Sequence, residues 1–144
     1  MRVIVPFAPG GVVDVMGRML TQKLFEQIGM NFISQYWGAG GNIGTARAAS
    51  SPKDGYTILI TSSSFVVNPS LHAKVPYDPI DDFSPISIAA ASPNILVVNP
   101  KEPVRTVIDL VEAINKAPGH YSFASAGVGT TPHQSGELFN CRQD

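Results

Sequence analysis

Apolar positions along this chain fall into short runs separated by glycine- and proline-rich punctuation. Val3-Ile4-Val5 is a β-branched run closed by Pro6, the pattern of a buried strand. After Pro9-Gly10-Gly11 the period changes. Val13, Met16, Leu20 and Leu24 recur at helical spacing, with Asp14, Arg18 and Glu26 off the stripe, and Gly29 stops the helix. Asp14 in the first turn suits the helix dipole and can pair with Arg18 one turn on. Met30 to Ser34 reads as a second strand, and Gly38-Ala39-Gly40-Gly41-Asn42 as a second glycine-rich loop. Ala46, Ala48 and Ala49 predict a small-residue helix packed close to a sheet, with Pro52 just past its end.

Lys53-Asp54-Gly55 predicts a turn and Tyr56 to Thr61 a strand rich in β-branched and aromatic residues. Residues 62–83 read as irregular, punctuated by Pro69, Pro76 and Pro79. Ser84 to Ala91 and Asn94 to Val98 predict two more strands. A helix then starts at Thr106, with Asp109 completing a capping-box variant, an apolar face of Val107, Leu110, Val111 and Ile114, and an end at Pro118-Gly119. Tyr121 to Ser125 predicts a strand and Ala126 to Thr131 a third glycine-rich loop. Thr131 can cap the last helix, with Pro132 at its first position and Gln134 closing the box. A repeated strand, loop and helix order predicts an α/β fold with a largely parallel sheet.

Composition narrows the function. The chain has 144 residues, 44% hydrophobic and 15% charged, with a net charge of −1. That is a globular balance, and no basic block points to nucleic acid. No apolar run approaches the roughly 20 residues that span a bilayer. Cys141 is the only cysteine, so neither an internal disulfide nor a cysteine zinc site is expected. No leader pattern precedes the first strand.

The loops carry the candidate chemistry. A glycine-rich loop that leaves a strand and opens a helix presents outward-facing backbone N–H groups to an anion, and glycine permits close approach. Pro9-Gly10-Gly11 and Ser125-Ala126-Gly127-Val128-Gly129-Thr130 are therefore candidate anion cradles, with plain tight turns as the competing reading. A P-loop would need Gly-Lys-Ser/Thr, which is absent. The dinucleotide pattern fails at its last glycine, where Ile43 or Pro132 stands instead. His72, His120 and His133 show no metal-ligand spacing, and Ser62-Ser63-Ser64 lacks the glycine frame of a hydrolase elbow. No catalytic residue, metal or cofactor is expected. His133, in the first turn after the third loop, is the one side chain an enzymatic reading could use.

One ordered set of motifs goes further. It comprises Ile4-Val5-Pro6-Phe7-Ala8-Pro9-Gly10-Gly11 with Asp14 and Arg18, Gly38 to Gly44, Pro52 with Asp54-Gly55-Tyr56-Thr57, and Val67-Asn68-Pro69. Tyr77-Asp78-Pro79, Ser125-Ala126-Gly127 with Gly129-Thr130 and His133, and Gly136-Glu137-Leu138-Phe139 complete it. The set resembles the Bug family, the extracytoplasmic solute receptors of tripartite tricarboxylate transporters. Gln35-Tyr36-Trp37 departs from the family's Asn-Arg-Pro-like stretch. The resemblance implies an α/β, periplasmic-binding-protein-like (type II) flytrap of two lobes, with lobe I over 1–99, the beginning of lobe II over 100–144, and the rest of lobe II outside this chain. It implies that Phe7, Ala8, Pro9, Gly10 and Gly11 line one wall of a cleft and Ser125, Ala126, Gly127, Gly129 and Thr130 the other, with Asp14 and His133 beside them. The implied ligand is a small carboxylate: a dicarboxylate, a tricarboxylate, an acidic amino acid or an aromatic acid of nicotinic type. Periplasmic location and delivery to membrane permease subunits follow from the same resemblance. An enzyme acting on a small carboxylate or phosphate compound, and a non-functional fragment of a binding protein, are the alternatives. Apolar faces left uncovered would favour self-association.

Overall fold

The β-branched run near the start of the chain becomes the centre of the sheet. The computed structural model describes residues 1–36 and 41–141. Its elements are β1 (Arg2–Val5), α1 (Val12–Ile28), β2 (Ile33–Tyr36), α2 (Asn42–Ala49), β3 (Thr57–Leu59), α3 (Ser64–Leu71), α4 (Val107–Lys116) and α5 (Thr131–Cys141). The sheet has three strands in the order β2-β1-β3. Both pairings are parallel, with Val3 opposite Ser34 on one side and Ile58 on the other. Each strand is followed by a helix, so three strand-to-helix loops leave from the same, carboxyl edge of the sheet, where ligands of open α/β sheets bind.

Val3, Ile4 and Val5 are at most 1% exposed. Removing each such side chain from water contributes roughly 1.5–3 kcal/mol. Helix α1 lies close over β1 because residue 17 is glycine. A Cβ there would sit 3.5 Å from Val5 Cγ2 and 3.6 Å from Ile60 Cδ1, so any longer side chain would lift the helix off the sheet. Gly29 ends α1 in the left-handed region at φ 71°, and its N–H donates to Phe25 O. The expected box at α4 is formed in full. Thr106 Oγ1 accepts from Asp109 N at 3.1 Å, and Asp109 Oδ2 accepts from Thr106 N at 2.9 Å and Arg105 N at 3.0 Å.

Several expectations need correction. The second strand covers Ile33–Tyr36, later than Met30 to Ser34, and β3 is confined to Thr57–Leu59. Residues 62–83 are not wholly irregular, because α3 occupies Ser64–Leu71 with Pro69 inside it. Proline there removes the N–H that would have bonded Phe65 O one turn back. Tyr77 Oη donates to that carbonyl instead, at 3.1 Å. Phe65, Tyr77 and Phe83 pack as one aromatic cluster around this repair, with ring centroids 5.1–6.4 Å apart.

The largest correction concerns Ser84 to Ala91, Asn94 to Val98 and Tyr121 to Ser125. Among the described residues none of these stretches forms a strand. Their side chains have strand preferences, but a strand also needs a neighbour to complete its ladder, and β1, β2 and β3 pair only with one another.

Candidate functional site

Three of the four loops of interest sit where the chain turns from β1, from β2 and from β3 into the next helix. In the first, Gly10 takes φ 84°, and its N–H points inward to Asp14 Oδ2 at 2.7 Å. Asp14 Oδ1 accepts from Arg18 Nε at 2.8 Å. The Asp14 residue is 3% exposed while the Arg18 side chain is 59% exposed, so the carboxylate is built into the loop and the guanidinium lies over it. Asp14 therefore organises the loop, as its helix-start reading expects. Gly10 gives the cradle shape rather than a donor. The outward donors at this loop belong to the start of α1, where the N–H groups of Val12 and Val13 precede the first intrahelical bond, Val15 N to Gly11 O. Ala8, Pro9, Gly10 and Gly11 are exposed, and Phe7 is half-buried.

Phe7 ties this loop to the second. A Cβ on Gly41 would lie 3.5 Å from the Phe7 ring and 3.8 Å from Ser64 Oγ. Gly41 is buried, takes φ 96°, and its carbonyl accepts both Thr45 N and Thr45 Oγ1 at the start of α2. Gly38, Ala39 and Gly40, which the sequence places in the same loop, lie outside the described residues.

The loop after β3 was not legible as part of a site. Ser62, Ser63 and Ser64 fail the hydrolase pattern, and no glycine marks them. The fold nevertheless puts them where α3 starts, on the same edge as the glycine loops. Ser62 Oγ and Ser64 Oγ are 2.9 Å apart, and Ser63 Oγ lies 3.1 Å from Thr131 Oγ1. That last bond brings the start of α5 to the start of α3. Inside it, Asn68 Nδ2 donates to Asn42 Oδ1 at 2.8 Å, joining α3 to α2, and Tyr77 Oη donates to the same Asn42 oxygen at 3.3 Å. Burial pushes the Tyr77 phenol up, offset in part by its contact with Asn68.

The third glycine-rich loop closes against this network. Gly127 and Gly129 take φ 129° and 81°. A Cβ on Gly129 would overlap the Asn68 carboxamide, so only glycine fits there. Thr130 is 4% exposed, and its hydroxyl donates to Gly127 O at 2.6 Å. Its carbonyl accepts Gln134 N, so Thr130 precedes the first helical residue and Thr131 lies inside the helix. The expected box at Thr131 does not form, since Gln134 Nε2 donates to Gly129 O at 2.8 Å. Ser125 and Ala126 stand exposed at the mouth of the loop, and Gly127 is half-buried. His133 lies against Phe123, with ring centroids 6.1 Å apart, and its Nε2 is 3.7 Å from Glu137 Oε1.

The predicted residues thus join in a chain. Phe7 meets Gly41, Gly41 meets Ser64, Ser63 meets Thr131, and Gly129 meets Asn68. Two surface hollows among the described residues lie elsewhere. One, of about 160 Å³, is lined by Leu96, Val98, Val104, Arg105, Thr106, Val107 and Leu110. The other, of about 360 Å³, lies between α1 and β2 near Arg18, Phe25 and Phe32. Neither lies at the carboxyl edge, where helix starts leave first-turn N–H groups without intrahelical partners, and we place the candidate site at that edge. Among the described residues no three acidic, histidine or cysteine side chains could share a metal ion, and no helix is long and apolar enough to cross a membrane.

Comparison with known proteins gives one answer. Residues 16–144 match the model of the tripartite tricarboxylate transporter family receptor. The chain is 40% identical over 144 residues to protein BugT of Bordetella pertussis, covering 98% of this chain and 44% of that one. It is 41% identical over 140 residues to a protein encoded in the tcbD-tcbE intergenic region of a Pseudomonas species, covering 96% and 42%. Among solved structures it is similar to Rpa4515 of R. palustris, solved with adipate, at TM-score 0.92 and 32% identity, covering 97% of this chain and 48% of that one. MatC of Rhodopseudomonas palustris, with bound malate, matches at TM-score 0.88 and 25% identity, covering 99% and 49%. The periplasmic binding protein BugD matches at TM-score 0.84 and 30% identity, covering 99% and 48%. The expected α/β, periplasmic-binding-protein-like fold is borne out, and the chain spans about half the length of the relatives it matches.

Proposed function

The chain belongs to the tripartite tricarboxylate transporter receptor family, and from that premise we propose that it captures a small carboxylate in the periplasm and presents it to membrane permease subunits. The observation that carries the reading is the meeting of glycine and hydroxyl loops at the carboxyl edge of a parallel sheet, each opening a helix. A carboxylate there faces partial positive charge and first-turn N–H groups, and the Asp14 carboxylate is turned inward onto Gly10 and Arg18. The first wall is formed by Phe7, Ala8, Pro9, Gly10 and Gly11, with Val12 and Val13 supplying donors. The second is formed by Ser125, Ala126, Gly127, Gly129 and Thr130, with Ser63 and Thr131 between them. Adipate and malate are bound in two of the matched structures, which makes dicarboxylates the first class to test. Tricarboxylates, acidic amino acids and aromatic acids are the next classes to test. Binding of this kind needs differential affinity for a closed form and no bond chemistry. His133, held between Phe123 and Glu137, acts as a packing residue.

A thermal-shift screen against small mono-, di- and tricarboxylates and acidic amino acids tests the proposal. A hundredfold excess of a true ligand over its Kd stabilises the fold by about 2.7 kcal/mol. Gly11→Val should remove the response, since even a Cβ at residue 11 comes within 3.4 Å of Ala8 O and a branched side chain would crowd the first wall. His133→Ala should keep it. A cooperative melt with no response to any of these acids would reject the site.

A further inference from the structure

We propose that Asn68 is a positioning residue of the carboxylate site: a rigid stop that sets the spacing between the first and second walls, and with it the preference among dicarboxylates of different length. The proposal rests on the carboxylate reading above. Asn68 is 1% exposed, and its Nδ2 donates to Asn42 Oδ1 at 2.8 Å. Tyr77 Oη donates to the same oxygen at 3.3 Å and to Phe65 O at 3.1 Å. The Asn68 carboxamide is thus held in a buried polar network that joins α2, α3 and the Tyr77 segment. Such a network, once satisfied, fixes its members in one geometry.

The third glycine-rich loop meets this stop as a braced body. Gly129 is buried at φ 81°, its carbonyl accepts Gln134 Nε2 at 2.8 Å, and Thr130 Oγ1 donates to Gly127 O at 2.6 Å. Loop and helix start are therefore tied together. Where they touch α3 there is no room for one more carbon. A Cβ on Gly129 would overlap the Asn68 carboxamide and lie 3.6 Å from Leu71 Cδ1. On the other side of Asn68, Asn42 follows Gly41, which packs on the Phe7 ring. Packed groups therefore run from Phe7 through Gly41, Asn42 and Asn68 to Gly129, and close-packed interiors transmit a displacement instead of absorbing it. The second bridge, Ser63 Oγ to Thr131 Oγ1 at 3.1 Å, is an exposed pair of hydroxyls that can turn to water. The buried carboxamide has no such freedom. Adipate is longer than malate, so the two acids read the spacing of the walls differently.

A double-mutant cycle at residues 68 and 129 tests the proposal, with adipate and malate as the probes in calorimetric titrations. Asn68→Ala removes the stop and should weaken one acid by about tenfold or more while changing the ratio of the two dissociation constants. Gly129→Ala should also weaken binding, by pushing the loop off the carboxamide. Together the two should be milder than their product by at least about threefold, because the added Cβ enters the room that Asn68 leaves. Asn68→Leu keeps the bulk without the donor and should hold the parent's ratio, and it decides the matter if the alanine variant does not fold. Equal weakening of both acids by Asn68→Ala, effects that simply multiply, or a changed ratio in Asn68→Leu would overturn the proposal. A parent chain that binds neither acid fails the carboxylate reading instead, and amide exchange at Thr130 and Gln134 then decides on the stop alone. Exchange there should quicken by about tenfold in each alanine variant and recover in part when the two are combined. Unchanged exchange in both single variants would overturn the stop.

Discussion

Val3-Ile4-Val5 and Ile95-Leu96-Val97-Val98 are similar apolar runs, yet the first is at most 1% exposed and the second 41–80% exposed. The first has a parallel partner on each side and α1 across it. The second has α5 at one end and α4 against one face. The difference teaches that a β-branched run specifies the wish to be a strand, while the neighbours decide whether it becomes one. It also divides the molecule. Most of its cohesion lies in residues 1–83, and the later part hangs on that body through Ser63 and Asn68.

Equal truncations should therefore have unequal effects. Ile4→Ala is expected to cost about 2–5 kcal/mol, as for any fully buried isoleucine. Ile95→Ala should stay within about 0.5 kcal/mol. Urea unfolding of both variants checks the pair, and similar losses would break the comparison. The next largest effect should come from Gly129→Ala. A side chain in the left-handed region costs about 1–2 kcal/mol, and here its Cβ also displaces Asn68. Amide exchange should speed up at Thr131 and in α3 while β1 stays protected. Unchanged exchange at Thr131 would mean that the two regions are joined elsewhere.

Two smaller effects sharpen the contrast from the other side. Thr106→Ala removes one member of the α4 box and should cost that helix about 1 kcal/mol, read as local exchange with no change at Ile4. The same box has a pH dependence. The N–H of Arg105 first, and then Thr106, holds the Asp109 carboxyl below its ordinary value. A lowered folded-state pKa contributes stability that is present above the ordinary carboxylate value and lost as pH falls through the folded one. Amide shifts of Arg105 and Thr106 should therefore move at acid pH in the parent chain and stay still in Asp109→Asn.

Local rules carried much of the fold and part of the site. The α4 box, the Gly29 stop and the Asp14–Arg18 pair were all legible, because each depends on residues within about one helical turn. The α3 helix was hidden by Pro69, since the group that repairs the lost bond, Tyr77, arrives from outside the helix. The cap of α5 slipped by one residue because Gln134 is drawn to Gly129 O, a contact that loop shape decides. Ser63 carried no signal of its own, and Asn68 stood in a motif without a role. Their roles come from long-range neighbours, Thr131 for the first and Gly129 for the second.

The strand order β2-β1-β3 has a consequence in time. The middle strand is made first, and its second partner, β3, ends at Leu59. At a synthesis rate of about 5–20 residues per second, Val3-Ile4-Val5 waits roughly 3–11 s beyond its own emergence for that partner to follow. During that interval this apolar segment has no permanent home, which makes it a stretch that a holding chaperone would bind.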